Sequence, residues 1–273
     1  MKASIIISVY KDVEALALII DSLEEQSRPI DEIIISEDGN SEEMKAYVST
    51  LNNKKIKHLS QQDEGWQKNK ALNRAILASS YEYLIFIDGD CVPYPNFIEG
   101  HISLSEKNSV LCGRRTEPGE GFSKALREKE ITVREFKKKY LKNYFKFKKD
   151  NIRHYDEGLS LTPNAISFKI LKFLRRRKEN HIVGCNFSCF KSDLEKINGF
   201  DEDFVLPTTG EDTDIERRLR HFDIKMKSCR YSANIIHLYH KKIFNPEISS
   251  KTEALMATKK DIFICKNGLR RVD

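Results

Sequence analysis

The sequence contains no long hydrophobic run. The apolar stretch at residues 5–9 is far shorter than the core of a signal peptide, and no small-residue cleavage pattern follows it. A membrane-spanning helix needs about 20 predominantly apolar residues, and the mean hydropathy of -0.53 is typical of a soluble protein. We therefore expect no membrane span and no secretion, and we predict a cytoplasmic location.

Paired cysteines are also missing. None of the six cysteines belongs to a Cys-x-x-Cys pair, and no histidine lies at zinc-finger spacing from one. A chain of 273 residues can bury a sizeable core without disulfides. We interpret the cysteines as reduced thiols of that core: Cys91, Cys112, Cys185, Cys189, Cys229 and Cys265.

The chain lacks any feature that would divide it. It has no Pro/Gly-rich linker, no internal repeat and no low-complexity segment, so we predict a single domain of residues 1–273. The formal net charge is +6, with a pI near 8.8. This charge would suit a nucleic acid, an anionic membrane surface or a phosphorylated substrate, so it does not choose among them.

Short β-rich apolar runs alternate with amphipathic helical stretches, a rhythm typical of βαβ units and a parallel sheet. Four strands are predicted in the first part of the chain, at residues 4–9, 32–36, 56–59 and 83–87. Later elements are strands at 181–190, 224–228 and 234–238, a helix from about Glu211, and a closing helix at 249–266. The predicted fold class is α/β. Ligands bind at the carboxyl ends of such strands, so the residues that follow each run are candidates for chemistry.

The sharpest local pattern follows the fourth strand, where Asp88 and Asp90 flank Gly89. Carboxylate oxygens bind hard divalent cations, and such a cation can neutralise the phosphates of a nucleotide diphosphate. The glycine would let the backbone approach those phosphates closely. Taken alone, an Asp-Gly-Asp sequence is more often an ordinary turn.

Two further patterns follow the second and third strands. Asp38 could accept hydrogen bonds from the N–H groups of a base such as uracil, although Asp-Gly at this place also suits a turn. Gly65 opens a helix whose first turns carry Lys68 and Lys70, and helix N-termini and ammonium groups both favour phosphate. A surface helix with Trp66 packed on the core would show the same pattern.

The second half of the chain offers acids and histidines. Glu211 and Asp212 stand at the start of a helix, where they either complement the helix dipole or supply a base that deprotonates an acceptor hydroxyl. His237 and His240 follow a predicted strand. Neutral imidazole can join carboxylates around a Mn²⁺-like ion, whereas a lone histidine is more often a packed or surface residue.

In this order, the elements resemble the inverting family 2 glycosyltransferases of GT-A fold over nearly the whole chain. The matching segments are Ser8-Val9-Tyr10, Ser36-Glu37-Asp38-Gly39, the stretch 65–73, and Ile87-Asp88-Gly89-Asp90-Cys91-Val92-Pro93. The resemblance implies a Rossmann-like, mainly parallel sheet flanked by helices. It also implies a DxD motif of Asp88 and Asp90, with Asp90 as the direct metal ligand. The donor site that it implies consists of Ser8, Tyr10, Asp38, Lys68, Lys70 and Asp88, with Trp66 as a further candidate.

The second half looks like the galactosyltransferase-type C-terminal region shared by chondroitin-polymerase modules and animal β-1,4-galactosyltransferases. By that resemblance, Asp212 is the general base, and Glu211, also a catalytic residue, helps to hold the acceptor. His237 completes a site for Mn²⁺ or Mg²⁺, with His240 beside it, and Asp214 and Asn186 bind the acceptor. A tryptophan-rich loop of the animal enzymes is replaced here by Leu-Pro-Thr-Thr at 206–209, which leaves the acceptor open.

The resemblance divides the domain into four parts. Residues 1–115 form the nucleotide-sugar-binding half, 122–178 a basic helical insert, 180–248 the acceptor and catalytic half, and 249–273 a C-terminal helix. The insert has no counterpart in the resemblance. Its basic and aromatic side chains are typical either of a solvated helical cover over the sheet or of a surface that docks to anionic lipid at the inner face of the cell membrane.

We therefore expect a metal-dependent, inverting glycosyltransferase. It would move a hexose or N-acetylhexosamine from a UDP-sugar to a glycan or lipid-linked glycan in the synthesis of a bacterial-type surface polysaccharide, such as capsule, O-antigen or lipooligosaccharide. One alternative is a sugar nucleotidyltransferase, which would carry a glycine-rich basic loop where this chain has residues 8–12. The other is a non-catalytic nucleotide-sugar-binding or RNA-binding protein. We expect no nucleic-acid partner, because the basic aromatic stretch is predicted to be helical rather than β.

Overall fold

A computed structural model describes residues 1–150, 153–174, 179–207, 210–241 and 245–272 of the chain. The elements before the insert are β1 Ala3–Val9, α1 Val13–Glu24, β2 Glu32–Glu37, α2 Glu42–Thr50, β3 Ile56–Leu59, α3 Lys68–Ala78, β4 Tyr83–Asp88, β5 Cys91–Pro93, α4 Phe97–Leu104, β6 Ser109–Cys112 and β7 Arg114–Thr116. Those of the insert are α5 Glu120–Arg127, α6 Val133–Lys139, α7 Tyr144–Lys149, a 3₁₀ turn Tyr155–Gly158 and α8 Ile166–Leu174. Those after it are β8 Asn186–Phe190, α9 Lys191–Lys196, α10 Gly210–His221, β9 Lys225–Ser228, β10 Asn234–His237 and α11 Pro246–Thr258.

The centre of the fold is a seven-stranded sheet with the strand order β3-β2-β1-β4-β8-β6-β9. Strands β1 to β4 are parallel to one another, and β6 is parallel to β9, whereas β8 runs antiparallel to both of its neighbours. The predicted α/β class with a mainly parallel sheet is therefore confirmed. Strands from before and after the insert share this one sheet.

Both faces of the sheet are covered, which explains why its strands are continuous apolar runs rather than alternating ones. Successive side chains of a strand point to opposite faces. Ile5 and Ile7 accordingly pack with Leu16 of α1 in one core cluster, while Ile6 packs with Leu72 of α3 in another. Each fully buried side chain of this size contributes about 1.5–3 kcal/mol to folding.

A second, three-stranded sheet with the order β5-β10-β7 stands beside the central one. Strand β10 pairs antiparallel with β5, so that His237 lies opposite Cys91. Only β10 of this sheet was predicted from the sequence. The sheet brings a strand from the last quarter of the chain to the residues that directly follow β4.

Two predicted elements differ from the structure. The strand predicted at 181–190 begins only at Asn186, because the backbone N–H groups of Ile182 and Gly184 bond to carboxylates of α10 instead of a neighbouring strand. The closing helix predicted at 249–266 ends at Thr258. Beyond it, the chain folds back, and the side-chain amide of Asn198 donates to backbone carbonyls of this returning segment.

The insert is helical, as predicted, but it is more than a cover. Leu126, Phe136 and Tyr140 are buried in the core cluster on the α1 side of the sheet. The ring of Phe136 lies 6.0 Å from that of Phe122 and 6.4 Å from that of Tyr94. The predicted reduced core thiols are confirmed, since all six cysteines are buried and unbridged. Within the described residues, no helix is both long enough and apolar enough to cross a bilayer.

Candidate active site

A cleft of about 710 Å³ opens at the carboxyl ends of β1, β2 and β4. This is where a parallel α/β sheet is expected to bind ligands, and the volume is in the usual range for a small-molecule site. Six of the predicted site residues line the cleft together with both acids of the DxD motif: Ser8, Tyr10, Asp38, Trp66, Lys68 and His240.

The two acids at the end of β4 stand at the rim of this cleft on either side of Gly89. A Cβ atom at position 89 would lie 2.8 Å from the carbonyl oxygen of Ser8 and 3.0 Å from the Cα of Val9, closer than real Cβ atoms approach backbone. The turn therefore requires glycine because of this close approach. It holds Asp88 and Asp90 against the end of β1.

Two histidines converge on Asp90. The Nε2 atoms of His237 and of His240 each lie 3.5 Å from the Asp90 Oδ2 atom. The antiparallel pairing of β5 with β10 places His237 there, and the backbone N–H of Leu238 donates to the carbonyl oxygen of Asp90 at 2.9 Å. Cys91 also belongs to this group, because its thiol sulfur lies within 4.8 Å of ligand atoms of both Asp90 and His237.

The hydrogen bonds of both histidines leave Nε2 available as a lone-pair donor. Nδ1 of His237 lies 3.1 Å from the carbonyl oxygen of Leu238, and Nδ1 of His240 lies 3.4 Å from that of Lys241. A carbonyl oxygen only accepts, so each Nδ1 carries the proton. Burial lowers the pKa of His237 below its ordinary value, which favours the neutral imidazole that a metal ion needs.

Lys68 joins the acids of the DxD motif to those of α10. Its Nζ atom lies 2.8 Å from Asp88 Oδ1 and 3.6 Å from Glu211 Oε1. Burial alone would lower the pKa of Lys68, but the two carboxylates outweigh it and raise the pKa above its ordinary value. The site therefore contains a fixed positive charge at the first turn of α3.

Glu211 and Asp212 lie in the first turn of α10, beside a smaller cavity that shares Lys68 and Asp88 with the cleft. Burial raises the pKa of Glu211 to about 7 and also raises that of Asp212. Asp212 Oδ2 accepts a weak hydrogen bond from the N–H of Gly184 at 3.4 Å. Glu211 Oε2 is buried, and it has no hydrogen-bond partner among the described residues. The Glu211 carboxylate can therefore exchange a proton near neutral pH, and the Asp212 carboxylate is a stronger base than an ordinary aspartate.

Asp38 and Tyr10 stand at the opposite side of the cleft. Asp38 is 6% exposed and accepts hydrogen bonds from the Gln61 side chain and the Gln67 backbone N–H, both at 2.7 Å. These bonds fix the loop before α3 and still leave lone pairs on the carboxylate. The ring of Tyr10 is half exposed, and its hydroxyl donates to Asp63 at 3.2 Å.

Three predicted site residues lie outside the cleft, outside the smaller cavity beside Glu211 and Asp212, and away from the Asp90–His237 group: Lys70, Asp214 and Asn186. The ammonium of Lys70 is exposed and pairs with Glu64 at 3.6 Å, because it points from α3 to solvent. Asp214 is buried, and its carboxylate is held by Arg217 at 2.9 Å and Arg218 at 2.7 Å, so it is not free to bind an acceptor. This geometry does not support the roles predicted for Lys70 and Asp214.

Asn186 is also engaged inside the protein rather than at an acceptor site. It is fully buried, its oxygen lies 3.0 Å from the His101 ring nitrogen, and its amide donates to the carbonyl oxygens of Arg114 and Ala233. The polar side-chain atoms of Asn186 are therefore all used in hydrogen bonds inside the protein. The acceptor role predicted for it is not supported by this geometry.

One pair of residues that lines the cleft was not predicted from the sequence. The guanidinium of Arg127, from α5 of the insert, binds both carboxylate oxygens of Asp12 at 3.0 and 2.7 Å. Asp12 is also the N-cap of α1 and accepts from the N–H of Ala15. An N-cap pattern identifies Asp12 as a helix start. Nothing local marks Arg127, which reaches the cleft only because the insert packs against α1.

Comparisons with known proteins decide the class of this site. The sequence model of glycosyl transferase family 2 matches residues 4–197, more than half of the chain. The chain belongs to this family. A second model, described as the N-terminal domain of galactosyltransferase, matches residues 165–241. The resemblance predicted for both halves is thus confirmed, and this family 2 member is a glycosyltransferase rather than a sugar nucleotidyltransferase or a non-catalytic binding protein.

One relative of this family 2 glycosyltransferase is chondroitin synthase of Escherichia coli, which is 31% identical over 119 residues. The match covers 41% of this chain but only 17% of the relative's length. The chain is therefore related to a polysaccharide synthase while it matches only a small part of that enzyme.

Solved structures of other transferases share the fold. GalNAc-T7 with UDP, GalNAc and Mn²⁺ superposes with a TM-score of 0.60 at 14% identity, over 89% of this chain and 44% of that one. A mannosyltransferase from Pyrobaculum calidifontis in complex with GDP-Man and Mn²⁺ gives 0.55 at 13% identity, over 88% of this chain and 58% of that one. These similarities confirm the GT-A fold of this family 2 glycosyltransferase.

Proposed function

We propose that the chain transfers a hexose or N-acetylhexosamine from a UDP-sugar to a glycan acceptor, with inversion at the anomeric carbon and with the help of a divalent cation. The observation that supports this most is the convergence of Asp90, His237 and His240 at the rim of the cleft. The same rim carries Lys68, which links the DxD motif to the buried carboxylates of α10.

The residues at the rim fit a divalent cation. They offer one carboxylate oxygen and two imidazole nitrogens whose lone pairs are free, and imidazole suits transition metals such as Mn²⁺ better than it suits Mg²⁺. Asp90, His237 and His240 would therefore hold Mn²⁺, with Asp88 next to them. When bound there, the cation would neutralise negative charge on the departing diphosphate.

The protein's own cations would position the donor. Lys68 and Arg127 both line the cleft together with Asp88 and Asp90, and ammonium and guanidinium groups both bind phosphate oxygens. At the far side, Tyr10 offers an aromatic face and Asp38 offers carboxylate lone pairs for the imide N–H of uracil. This arrangement favours a UDP-sugar with its base against β2 and its diphosphate at the end of β4.

Asp212 would act as the general base. Its carboxylate oxygen would accept the proton of the acceptor hydroxyl while that oxygen attacks the anomeric carbon, and the bond to the diphosphate would break in the same step. One displacement inverts the configuration at this carbon. Lys68 would keep Glu211 oriented, and burial raises the pKa of Asp212 above its ordinary value, which makes its carboxylate a stronger base.

The biological setting proposed is the synthesis of a bacterial-type surface polysaccharide on the cytoplasmic side of the membrane. The support for it is the similarity of the chain to a polymer-forming synthase. The acceptor would be a growing glycan, free or linked to a lipid.

A donor screen tests the proposal. The chain is assayed for transfer and hydrolysis with a panel of UDP-sugars and with GDP-mannose, in Mn²⁺, in Mg²⁺ and after removal of metal with EDTA. We expect turnover with one or more UDP-sugars only when a divalent cation is present. Asp90→Asn and Asp212→Asn should abolish transfer, whereas Glu195→Gln, at an exposed carboxylate of α9, should not. Metal-independent turnover, or turnover with GDP-mannose alone, would contradict the proposal.

A further inference from the structure

Helix α8 of the insert presents a stripe of apolar side chains to solvent. Ile166, Ile170, Phe173 and Leu174 are exposed by 76, 54, 77 and 70%. Their spacing of four, three and one residues places them on one face of a helix. A cluster of large exposed side chains on a single face marks an interaction surface, whereas scattered ones do not.

The opposite face of α8 is turned towards the rest of the protein, since Phe168 is only 2% exposed. Within the helix, the ammonium of Lys172 lies 5.6 Å from the centre of the Phe168 ring. Just before the helix, the N–H of Leu161 donates to the carbonyl oxygen of Tyr231 at 2.6 Å. The helix therefore cannot turn its apolar stripe inward without exposing Phe168, and the stripe faces outward because of this anchor.

The insert that carries α8 is strongly basic. Residues 122–178 contain eighteen Lys and Arg residues against six Asp and Glu residues, a net charge of +12. The whole chain has +6, so the rest of the protein is net negative. Lys169 borders the apolar stripe and is exposed. In the sequence, α8 is followed by Arg-Arg-Arg-Lys at 175–178, which lie outside the described residues.

An apolar stripe bordered by positive charge matches the chemistry of an anionic lipid surface. Apolar side chains can insert among the acyl chains, while Lys and Arg side chains interact with the phosphate headgroups. A helix of nine residues is about 13 Å long, less than half of the hydrocarbon thickness of a bilayer, so it can lie in the interface but cannot span it.

We propose that α8 docks the protein to an anionic membrane surface, with the four apolar side chains below the headgroups and the ammonium of Lys169 among them. The proposal stands on the exposure, anchoring and charge of α8 and does not depend on the proposed transferase chemistry. It predicts a peripheral membrane protein that is released by high salt.

Vesicle co-sedimentation tests the docking with the full chain and no substrate. The vesicles contain either phosphatidylcholine alone or an equal mixture with phosphatidylglycerol. The double variant Ile170→Glu/Phe173→Glu places two acids in the stripe, and both positions are exposed, so the fold should persist. Leu77→Glu is the matched control, because this leucine of α3 is also exposed, by 57%. We expect the wild-type chain and the control to bind the anionic vesicles, and the double variant to bind at least tenfold more weakly.

Phe173→Trp provides a second measurement that keeps the stripe apolar. After subtraction of the wild-type signal, which comes from Trp66 alone, the emission of the new tryptophan should shift to the blue with anionic vesicles and be quenched by brominated acyl chains. Equal binding by the double variant, no binding by the wild-type chain, or a tryptophan emission that lipid does not change would overturn the proposal. So would a dimer in sedimentation velocity that only the double variant dissociates, because the stripe would then contact a second copy of the chain.

Discussion

The Nε2 atom of His237 lies 3.5 Å from the Oδ2 atom of Asp90, although 147 positions separate the two residues in the sequence. The antiparallel pairing of β5 with β10 causes this approach, since His237 is the register partner of Cys91 and Asp90 is the next residue. Backbone hydrogen bonds, rather than side-chain packing alone, therefore fix the geometry of the proposed metal site.

His237→Ala should weaken metal binding more than His240→Ala. The side chain of His237 is 10% exposed and that of His240 is 50% exposed, so the first is held in place before metal binds whereas the second must be ordered. We expect a loss of roughly 10–100-fold in Mn²⁺ affinity for His237→Ala and a smaller loss for His240→Ala. Titration of Mn²⁺ by electron paramagnetic resonance, without donor, measures this. If both variants bind Mn²⁺ as tightly as the wild type, neither histidine is a metal ligand.

The two carboxylates of α10 should respond differently to neutralisation. If Asp212 is the base, Asp212→Asn lowers kcat by about 10²–10⁴-fold while the KM of the donor changes little. Glu211→Gln leaves the base in place and loosens its ion pair with Lys68, so a loss of about tenfold is expected. Single-turnover kinetics of the two variants separate the roles, and a larger loss for Glu211→Gln would transfer the base function to Glu211.

Activity should fall on the acid side of neutrality. Burial raises the pKa of Glu211 to about 7 and also raises that of Asp212, and a base acts only when it is ionised. With Asp212 as the base, we expect kcat/KM to decline towards acid pH, by up to tenfold per pH unit, from a point above the ordinary range of an aspartate. Protonation of Glu211 near pH 7 would come first and loosen its ion pair with Lys68. A profile of transfer from pH 4 to 9, at saturating metal, checks this, and a flat profile down to pH 5 would show that protonation of Glu211 does not affect transfer.

The same raised pKa makes a prediction for stability. Glu211 binds its proton more tightly in the folded state than at its ordinary pKa of 4.5, so its contribution to the free energy of unfolding is lost as pH rises from 4.5 to about 7. Glu211→Gln removes this loss. The variant should therefore gain up to about 2–3 kcal/mol over the wild type at pH 8 and almost nothing at pH 4. Urea unfolding at both pH values measures the difference.

Asp214→Asn should damage the fold rather than the chemistry. The Asp214 carboxylate and the Arg218 guanidinium are both 1% exposed and lie 2.7 Å apart, and breaking such a pair leaves a buried charge without a partner. The expected cost is about 3–5 kcal/mol in the free energy of unfolding. Asp212→Asn is the matched comparison, two residues away, and should cost far less. Denaturant titration of both variants would contradict the assignment if the order were reversed.

Arg127→Ala should weaken donor binding. Its guanidinium lines the cleft and is held by Asp12, so it is oriented for a phosphate oxygen before the donor arrives. We expect the KM of the donor to rise about tenfold, or about 1.4 kcal/mol. Lys129→Ala is the control, because Lys129 pairs with Asp21 at the surface of the same insert. Isothermal titration with UDP and Mn²⁺ measures both, and unchanged affinity for Arg127→Ala would exclude this role.

The predictable part of the fold lies where local pattern and tertiary structure agree. Strands β1, β2 and β4 are continuous apolar runs because both faces of the sheet are covered, and acids at their carboxyl ends had to meet at one edge. Strand β5 has only three residues, too few to show a period. Its pairing with β10, and hence the approach of His237, depends on contacts that no local pattern encodes.

Asp214 shows why its position in the sequence alone did not reveal its ion pair. The sequence does not show which way an acid in the first turns of a helix points. Asp214 lies about 200° around α10 from Asp212, so the two side chains face opposite sides of the helix. The arginine four residues after Asp214 was a usable signal for an ion pair. Arg127 had no such signal, because a side chain from the insert reaches the cleft only through tertiary packing.

The pairing of β5 with β10 makes the position of His237 depend on strand register rather than on the length of chain between the two strands. All of the insert lies between these strands in the sequence, yet the distance between Asp90 and His237 depends only on which residues face each other across the pair. A one-residue slip of this pair would turn the ring of His237 to the other side of the sheet and away from Asp90. A change in the length of the chain between the strands leaves the histidine in place as long as the pairing itself keeps its register.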